Sequence, residues 1–253
     1  MNFLAVLRKE MLEQWRTRRL LVVSAVFAVF GLASPLLAKF TPELLRSIPD
    51  VPAELLAAIP APSVSDAIAQ YIKNMSQFGI LLALLIPMGV VVQEKERGTA
   101  AFFLTRPVSR ETFLLAKYAA LALGFSLGLL LAALGCWYYT RILFGALPWG
   151  PYLALNGLML VVFLAYMALA LLASTLARSN GTAVALAFGA LVLVGGIGSL
   201  PRLSEYFPGR LFAWGSALVL GGAESAWPAL GLSLGLTAAC LLAAVLVFHR
   251  QEI

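Results

Sequence analysis

Between two long apolar runs lies a cluster of charge, the stretch 91–113, VVQEKERGTAAFFLTRPVSRETF. Three acids and four bases crowd into it: Glu94, Lys95, Glu96, Arg97, Arg106, Arg110 and Glu111. Acids and bases at this spacing can pair with each other or with the charges of a partner. They lack the histidines and cysteines that most often hold a transition metal. Phe102, Phe103 and Leu104 follow within the same stretch. Aromatic anchors inside a charged rim belong to the chemistry of protein docking, not of bond-making. The plainer alternative is that both phenylalanines rest in a bilayer surface.

The spacing predicts how the stretch is built. If the helix of the preceding apolar run continues through it, Glu94 and Arg97 share a face at i, i+3 and pair. Gly98 then permits a sharp bend and Thr99 caps a short helix over 100–104. Arg106-Pro107 stops that helix, and Ser109 caps the next. The expected result is a helix–bend–helix, charged at both ends and apolar in the middle.

Other reactive groups are scarce. The sole histidine, His249, sits beside Arg250 at the end of the last apolar run, and Cys136 and Cys240 lie inside apolar runs as buried thiols. No phosphate-cradling G-x-x-x-x-G-K-[ST] loop occurs, and we read no serine-hydrolase nucleophile elbow. The cores of the apolar runs hold no Asp or Glu. An ion-coupled carrier usually places one there, despite a cost of roughly 2.5–3.5 kcal/mol. Lys117, about one turn inside the third run, is expected to snorkel to water, and Asn156 to bond a neighbouring helix. No catalytic residue, metal-ligand set or cofactor site is expected in this chain.

The elements that position the stretch follow from composition. The 253 residues are 61% hydrophobic and 12% charged, with a mean hydropathy of +0.92. Soluble domains carry roughly 25% charge. The fold class is therefore an all-α polytopic membrane protein; the runs are continuous, unlike the alternation of a β-barrel. A spanning helix needs about 20 apolar residues. Six segments qualify: Leu20–Ala38, Met75–Val92, Leu114–Tyr139, Tyr152–Ala177, Thr182–Leu200 and Pro228–Phe248. Alternate connections then collect twelve bases on one side and six on the other. The excess marks the cytoplasmic side and places both termini there, with the chain in the cell (inner) membrane. The formal charge of +6 follows from the same rule, not from a nucleic-acid surface.

Residues 1–19 lack a cleavage motif and read instead as an amphipathic interfacial helix. Leu4, Leu7, Met11 and Trp15 recur at helical steps, with Lys9, Glu13 and Arg16 on the far side. That helix either anchors the chain or docks a partner. The outer connection 39–74 carries Pro42, Pro49, Pro52, Pro60 and Pro62, which favour short capped turns over one long helix. In the other, 201–227, Leu211–Leu220 is apolar but too short to cross, and reads as re-entrant or interfacial. Gly124 and Gly128, like Gly231 and Gly235, fit the spacing that lets helices approach closely or dimerise. No long repeat divides the chain, so residues 1–253 form one domain, with 93–113 as its cytoplasmic loop.

The stretch EKERGT…FLTRPVSRETFLLAK resembles the loop after the second span in permease subunits of ABC-2 type transporters. The resemblance is to the branch that includes the permease for nitrous-oxide-reductase copper-site maturation. Glu94, Glu96, Gly98, Thr99, Thr105, Pro107, Val108, Ser109, Arg110 and Lys117 carry it; Ala100-Ala101-Phe102 departs from the leucine and glutamate usual there. The resemblance implies an exporter in which two permeases, identical or paralogous, form the membrane unit. Separate ATPase subunits, which bind the ATP and Mg²⁺, would seat on the loop comprising Glu94–Thr99, Phe102, Phe103, Arg106, Pro107, Ser109 and Arg110. Two other classes stay open on the residues alone: an ion-coupled secondary transporter, and an intramembrane enzyme or scaffold without an ATPase.

Overall fold

The computed structural model describes residues 3–47, 60–98 and 109–251. Among them there is no strand. Helix α1 (Phe3–Arg16) turns at Arg18, whose φ of 59° is left-handed, into α2 (Arg19–Arg46). The second span is composite. It runs through α3 (Val64–Asn74), a π turn (Met75–Gly79), α4 (Ile80–Leu85), a 3₁₀ turn (Pro87–Gly89) and α5 (Val92–Glu96). Then come α6 (Arg110–Phe144), α7 (Trp149–Leu176), α8 (Asn180–Gly198), the short α9 (Arg210–Leu220) and α10 (Trp227–His249).

Six segments are long and apolar enough to span a bilayer: Arg19–Leu44, Val64–Glu96, Arg110–Phe144, Trp149–Leu176, Asn180–Gly198 and Trp227–His249. They coincide with the six expected from the sequence, though several run well past the apolar stretch. Hydropathy marks only the greasy centre of a helix. The backbone keeps bonding to itself until a cap or a break satisfies its ends. Ser109 accepts from the Thr112 N–H at 3.2 Å to open α6, and Ser179 from the Thr182 N–H at 3.3 Å to open α8.

The first long connection needs correction. Instead of stopping at Ala38, α2 continues to Arg46 through Pro35 and Pro42, and the next span already begins at Val64. The hydroxyl before each proline donates back to the preceding turn, Ser34 to the Phe30 carbonyl and Thr41 to the Leu37 carbonyl. Such hydroxyls keep the turn's polar groups satisfied, so a proline bends the helix without ending it. Asp66 accepts the Ser63 N–H at 2.8 Å, which closes the first turn of α3. Pro49 and Pro52 lie outside the described residues. The 11-residue α9 is too short to cross; it packs on α7 with Leu211 and Gly215 buried.

One apolar core joins α2, the second span, α6, α7, α9 and the start of α10. Phe27, Phe125 and Phe163 meet at its centre, with ring centroids 5.6, 5.7 and 6.5 Å apart. Gly31 lets α2 lie against α6, because a Cβ there would sit 2.5 Å from the Ala132 Cα. The Gly124/Gly128 pair is likewise used inside the molecule, against Gln14, Leu20, Val23 and Phe27, whereas Gly231 and Gly235 face open space. Asn156 bonds across helices as expected, accepting from the Tyr71 hydroxyl at 2.7 Å. Helices α8 and α10 are the least buried spans.

Candidate functional site

Helix α1 and the end of α10 meet at one face of the bundle, and the base of the charged loop is built there. Upstream, Pro87 lacks an N–H and the chain tightens into the 3₁₀ turn. The Val91 and Val92 N–H groups that follow are taken by Ser174 Oγ of α7, at 3.0 and 3.1 Å. This pins the start of α5. The next residues then fan out at about 100° per residue, each to a different helix.

Gln93 Oε1 accepts from the Arg19 guanidinium at the start of α2, 3.1 Å. Glu94 lies 2.7 Å from Lys117 Nζ of α6 and 3.4 Å from Lys9 Nζ of α1. Lys95 donates to the Thr175 and Ala177 carbonyls at 2.7 Å each, at the C-terminus of α7, where a cation also meets the negative end of the helix dipole. Glu96 takes the Asn180 N–H at 3.1 Å, at the positive end of α8. One acid–base–acid tripeptide thus ties α5 to α1, α6, α7 and α8.

Two expectations change here. Glu94 does not form the surface pair with Arg97 that the spacing suggested, because its carboxylate is turned inward to the two lysines; Arg97 is exposed. Nor does Lys117 snorkel. Its side chain is 0% exposed, bonded to both Glu10 oxygens at 3.1 and 3.0 Å and to Glu94, with its Nζ 4.8 Å from the Phe113 ring centroid. A lysine two turns into a span takes this position because α1 folds over it and brings a carboxylate.

The amphipathic helix α1 is present, and its polar side is the one packed on protein. Val6, Glu10 and Gln14, four residues apart, are buried against the bundle. Leu4 and Trp15 point away at 73% and 72% exposure, with Leu7 and Met11 half-buried. Burial disfavours the charged form of Lys9. The Glu10 carboxylate at 2.8 Å, with Glu13 and Glu94, outweighs this and holds the ammonium well above its ordinary range. Burial likewise opposes ionisation of Glu13, but its bond to Lys9 and the charges of Lys117 and Arg19 hold it below the ordinary carboxylate value. Glu10, Glu13 and Glu94 come within 4.8 Å of one another. Two lysine ammoniums bond to these three acids, so the cluster is an ion-pair network.

On the other side of the loop, Ser109 caps α6 as its position suggested. Arg110 Nη1 donates to three carbonyls at the end of α10: Phe248 (2.7 Å), His249 (3.0 Å) and Gln251 (2.8 Å). His249 lies 3.5 Å from Glu111 at the surface. Gly98 adopts φ 68°, the left-handed turn that ends α5 and that glycine accommodates without strain. Thr99, Phe102, Phe103, Arg106 and Pro107 lie outside the described residues. Of the expected loop residues, the structure therefore brings together Glu94, Lys95, Glu96, Ser109 and Arg110. Sequence reading missed Glu10 and Gln14. The i, i+4 recurrence Val6–Glu10–Gln14 on a helix with an apolar opposite face was the signal.

The G-x-S-x-G pattern does occur, twice, contrary to the sequence reading: Gly124-Phe125-Ser126-Leu127-Gly128 and Gly231-Leu232-Ser233-Leu234-Gly235. Neither forms a nucleophile elbow, which needs a sharp strand-to-helix turn. Both lie inside helices, where Ser126 Oγ donates to the Ala122 carbonyl (2.8 Å) and Ser233 Oγ to Ala229 (2.7 Å). The one histidine, His249, is sixteen residues along α10 from Ser233, about 24 Å at helical rise. Among the described residues, the hydrogen bond that each serine hydroxyl makes is to a backbone carbonyl, not to a side-chain base.

Known proteins resemble this chain over nearly its whole length. The model of the ABC-2 family transporter proteins matches residues 4–253. An uncharacterized transmembrane protein of Bacillus subtilis (strain 168), YxlG, is 26% identical over 255 residues, covering 98% of each chain. A match over nearly the whole length, on a six-span helical bundle, settles membership: the chain belongs to the ABC-2 family of transporter proteins.

Proposed function

We propose that this chain is the membrane subunit of an ATP-driven exporter, working as a pair with an identical or paralogous permease. A separate ATPase subunit, carrying the ATP and Mg²⁺, docks on the loop between α5 and α6. In this reading the face with α1 and the end of α10 is cytoplasmic, as the excess of bases there suggests. The observation that carries the reading is the mount of the loop. Glu94, Lys95 and Glu96 on one side and Arg110 on the other reach α1, α6, α7, α8 and α10. A force applied to a loop so anchored moves the ends of most spans together, as a transporter driven from outside the membrane requires.

The test is nucleotide dependence. The purified chain in vesicles should show no ATP turnover and gain it only when mixed with an ATPase subunit, such as one encoded in a neighbouring reading frame. Saturable hydrolysis by the isolated polypeptide, or substrate movement without nucleotide, would contradict the proposal. An ion-coupled carrier would instead respond to an imposed gradient.

A further inference from the structure

At the face that carries α1 and the end of α10, a cavity of about 240 Å³ opens between the start of α2, the second span and the start of α8. Its polar wall is Arg19, Gln93 and Asn180; Leu85, Met88 and Val184 contribute an apolar wall. Arg19 is half-buried and always charged, and among the described residues it forms no ion pair, only the hydrogen bond to Gln93 at 3.1 Å. Among the described residues no acid lines the cavity, though Glu96 reaches the Asn180 N–H beside it.

Two further features carry the same sign. Arg19 and Asn180 are the first residues of α2 and α8, helices of 28 and 19 residues, so the positive ends of two long dipoles lie at the cavity. Glu96 already accepts the Asn180 N–H and partly offsets the α8 end, so Arg19 and the start of α2 carry most of the positive potential at the cavity. At Gly89 a Cβ would sit 2.7 Å from Gln93 Nε2, so its absence leaves the Gln93 amide room beside the chain. The apolar wall leads outward, since Leu85 and Val184 are 36% and 38% exposed on the sides of spanning helices. The depth is interfacial: Trp15, four residues before Arg19, points away from the bundle as an aromatic at the headgroup level does.

We propose that this cavity is a binding site for an anionic lipid headgroup, with the phosphate against Arg19 and Gln93 and the acyl chains leaving past Leu85 and Val184. A cavity of this size takes a phosphate and its glycerol, not a whole lipid, so the chains lie on the outer surface of the span. The ligand would touch Gln93, next to Glu94, and the N-terminus of α8 held by Glu96. Occupancy therefore stiffens the base of the charged loop. The site is independent of any ATPase partner and is tested without one.

The full chain, purified and delipidated, is titrated with phosphatidylglycerol or phosphatidylcholine of identical acyl chains, and bound lipid is counted by native mass spectrometry. The wild-type chain should retain phosphatidylglycerol about tenfold more tightly, the increment of one charge-assisted contact. Arg19→Gln should abolish that preference, and Arg19→Lys should keep most of it. Arg16→Gln, at an exposed position of α1, should leave it intact. Val184→Trp, which fills the apolar wall, should weaken both lipids, and inorganic phosphate alone should not displace the glycerolipid. The proposal is overturned if wild type shows no headgroup preference or if Arg16→Gln and Arg19→Gln lose it equally. Competition by inorganic phosphate as effective as by the lipid would also overturn it, because the site would then recognise a free anion.

Discussion

Removing the Lys117 charge is the sharpest perturbation of this molecule. The side chain has no solvent exposure, and its ammonium is shared by Glu10, at 6% exposure, and Glu94, at 14%. Lys117→Met keeps the length and volume but leaves Glu10 facing an apolar end, with Lys9 as its nearest remaining cation at 2.8 Å. Breaking a buried pair by deleting one partner costs about 3–5 kcal/mol, most of it the stranded charge. For a chain of this size that is a drop in melting temperature on the order of 10 °C. The loss should be local first: a cysteine placed at buried Val6 should become reactive as α1 lifts from α6. Adding Glu10→Gln to Lys117→Met should recover part of the stability, because Lys9 then faces two carboxylates, Glu13 and Glu94, instead of three. Thermal unfolding in detergent and thiol labelling at position 6 measure both effects. A Lys117→Met chain that melts within 2 °C of wild type (under ~1 kcal/mol), with position 6 still protected, would refute the argument that this network holds α1 in place.

Arg97→Glu should cost less than about 0.5 kcal/mol, the range of an exposed pair, because Glu94 is engaged with Lys117 and Lys9; a larger loss of stability would show that Arg97 supports α5. Glu13 is held below its ordinary value, so its contribution to α1 docking is complete above the unfolded pKa of about 4.3 and fades as pH falls through the lower folded value. Amide exchange of residues 6–14 should therefore stay slow at neutral pH and quicken in acid, and Glu13→Gln should remove that dependence. Cysteines at Ser47 and Ser109 should label from opposite sides of sealed vesicles; labelling of both from one side would overturn the six-span sidedness.

Much of the fold was legible in the sequence because a bilayer imposes length and hydropathy on each span. All six were found from their apolar centres, and Ser109 and Asn156 act as their chemistry suggested. The extensions were not legible. Helix α2 passes Pro42 because hydroxyl groups of the same helix donate back to its carbonyls, which a count of prolines does not register. The inward turn of Glu94 and the burial of Lys117 depend on α1 folding back over α6, a contact more than a hundred residues apart in sequence. Local spacing offered Arg97 as the nearer partner for Glu94. The tertiary partner prevailed because a buried ammonium without a carboxylate is far more costly than an exposed arginine left in water.

The claim that a separate ATPase acts through the loop between α5 and α6 is tested most directly by the affinity of that subunit for the permease with and without Phe102 and Phe103. Truncating both to alanine removes two aromatic anchors expected to contribute roughly 2 kcal/mol or more each. The spans, the Lys117 network and the Arg110 caps are left untouched. Binding measured in one detergent, on variants matched in melting temperature, should fall by at least two orders of magnitude, with nucleotide-dependent transport falling alongside. If the doubly truncated permease holds the ATPase subunit at wild-type affinity, the phenylalanines belong to the bilayer surface and the loop is not the docking site.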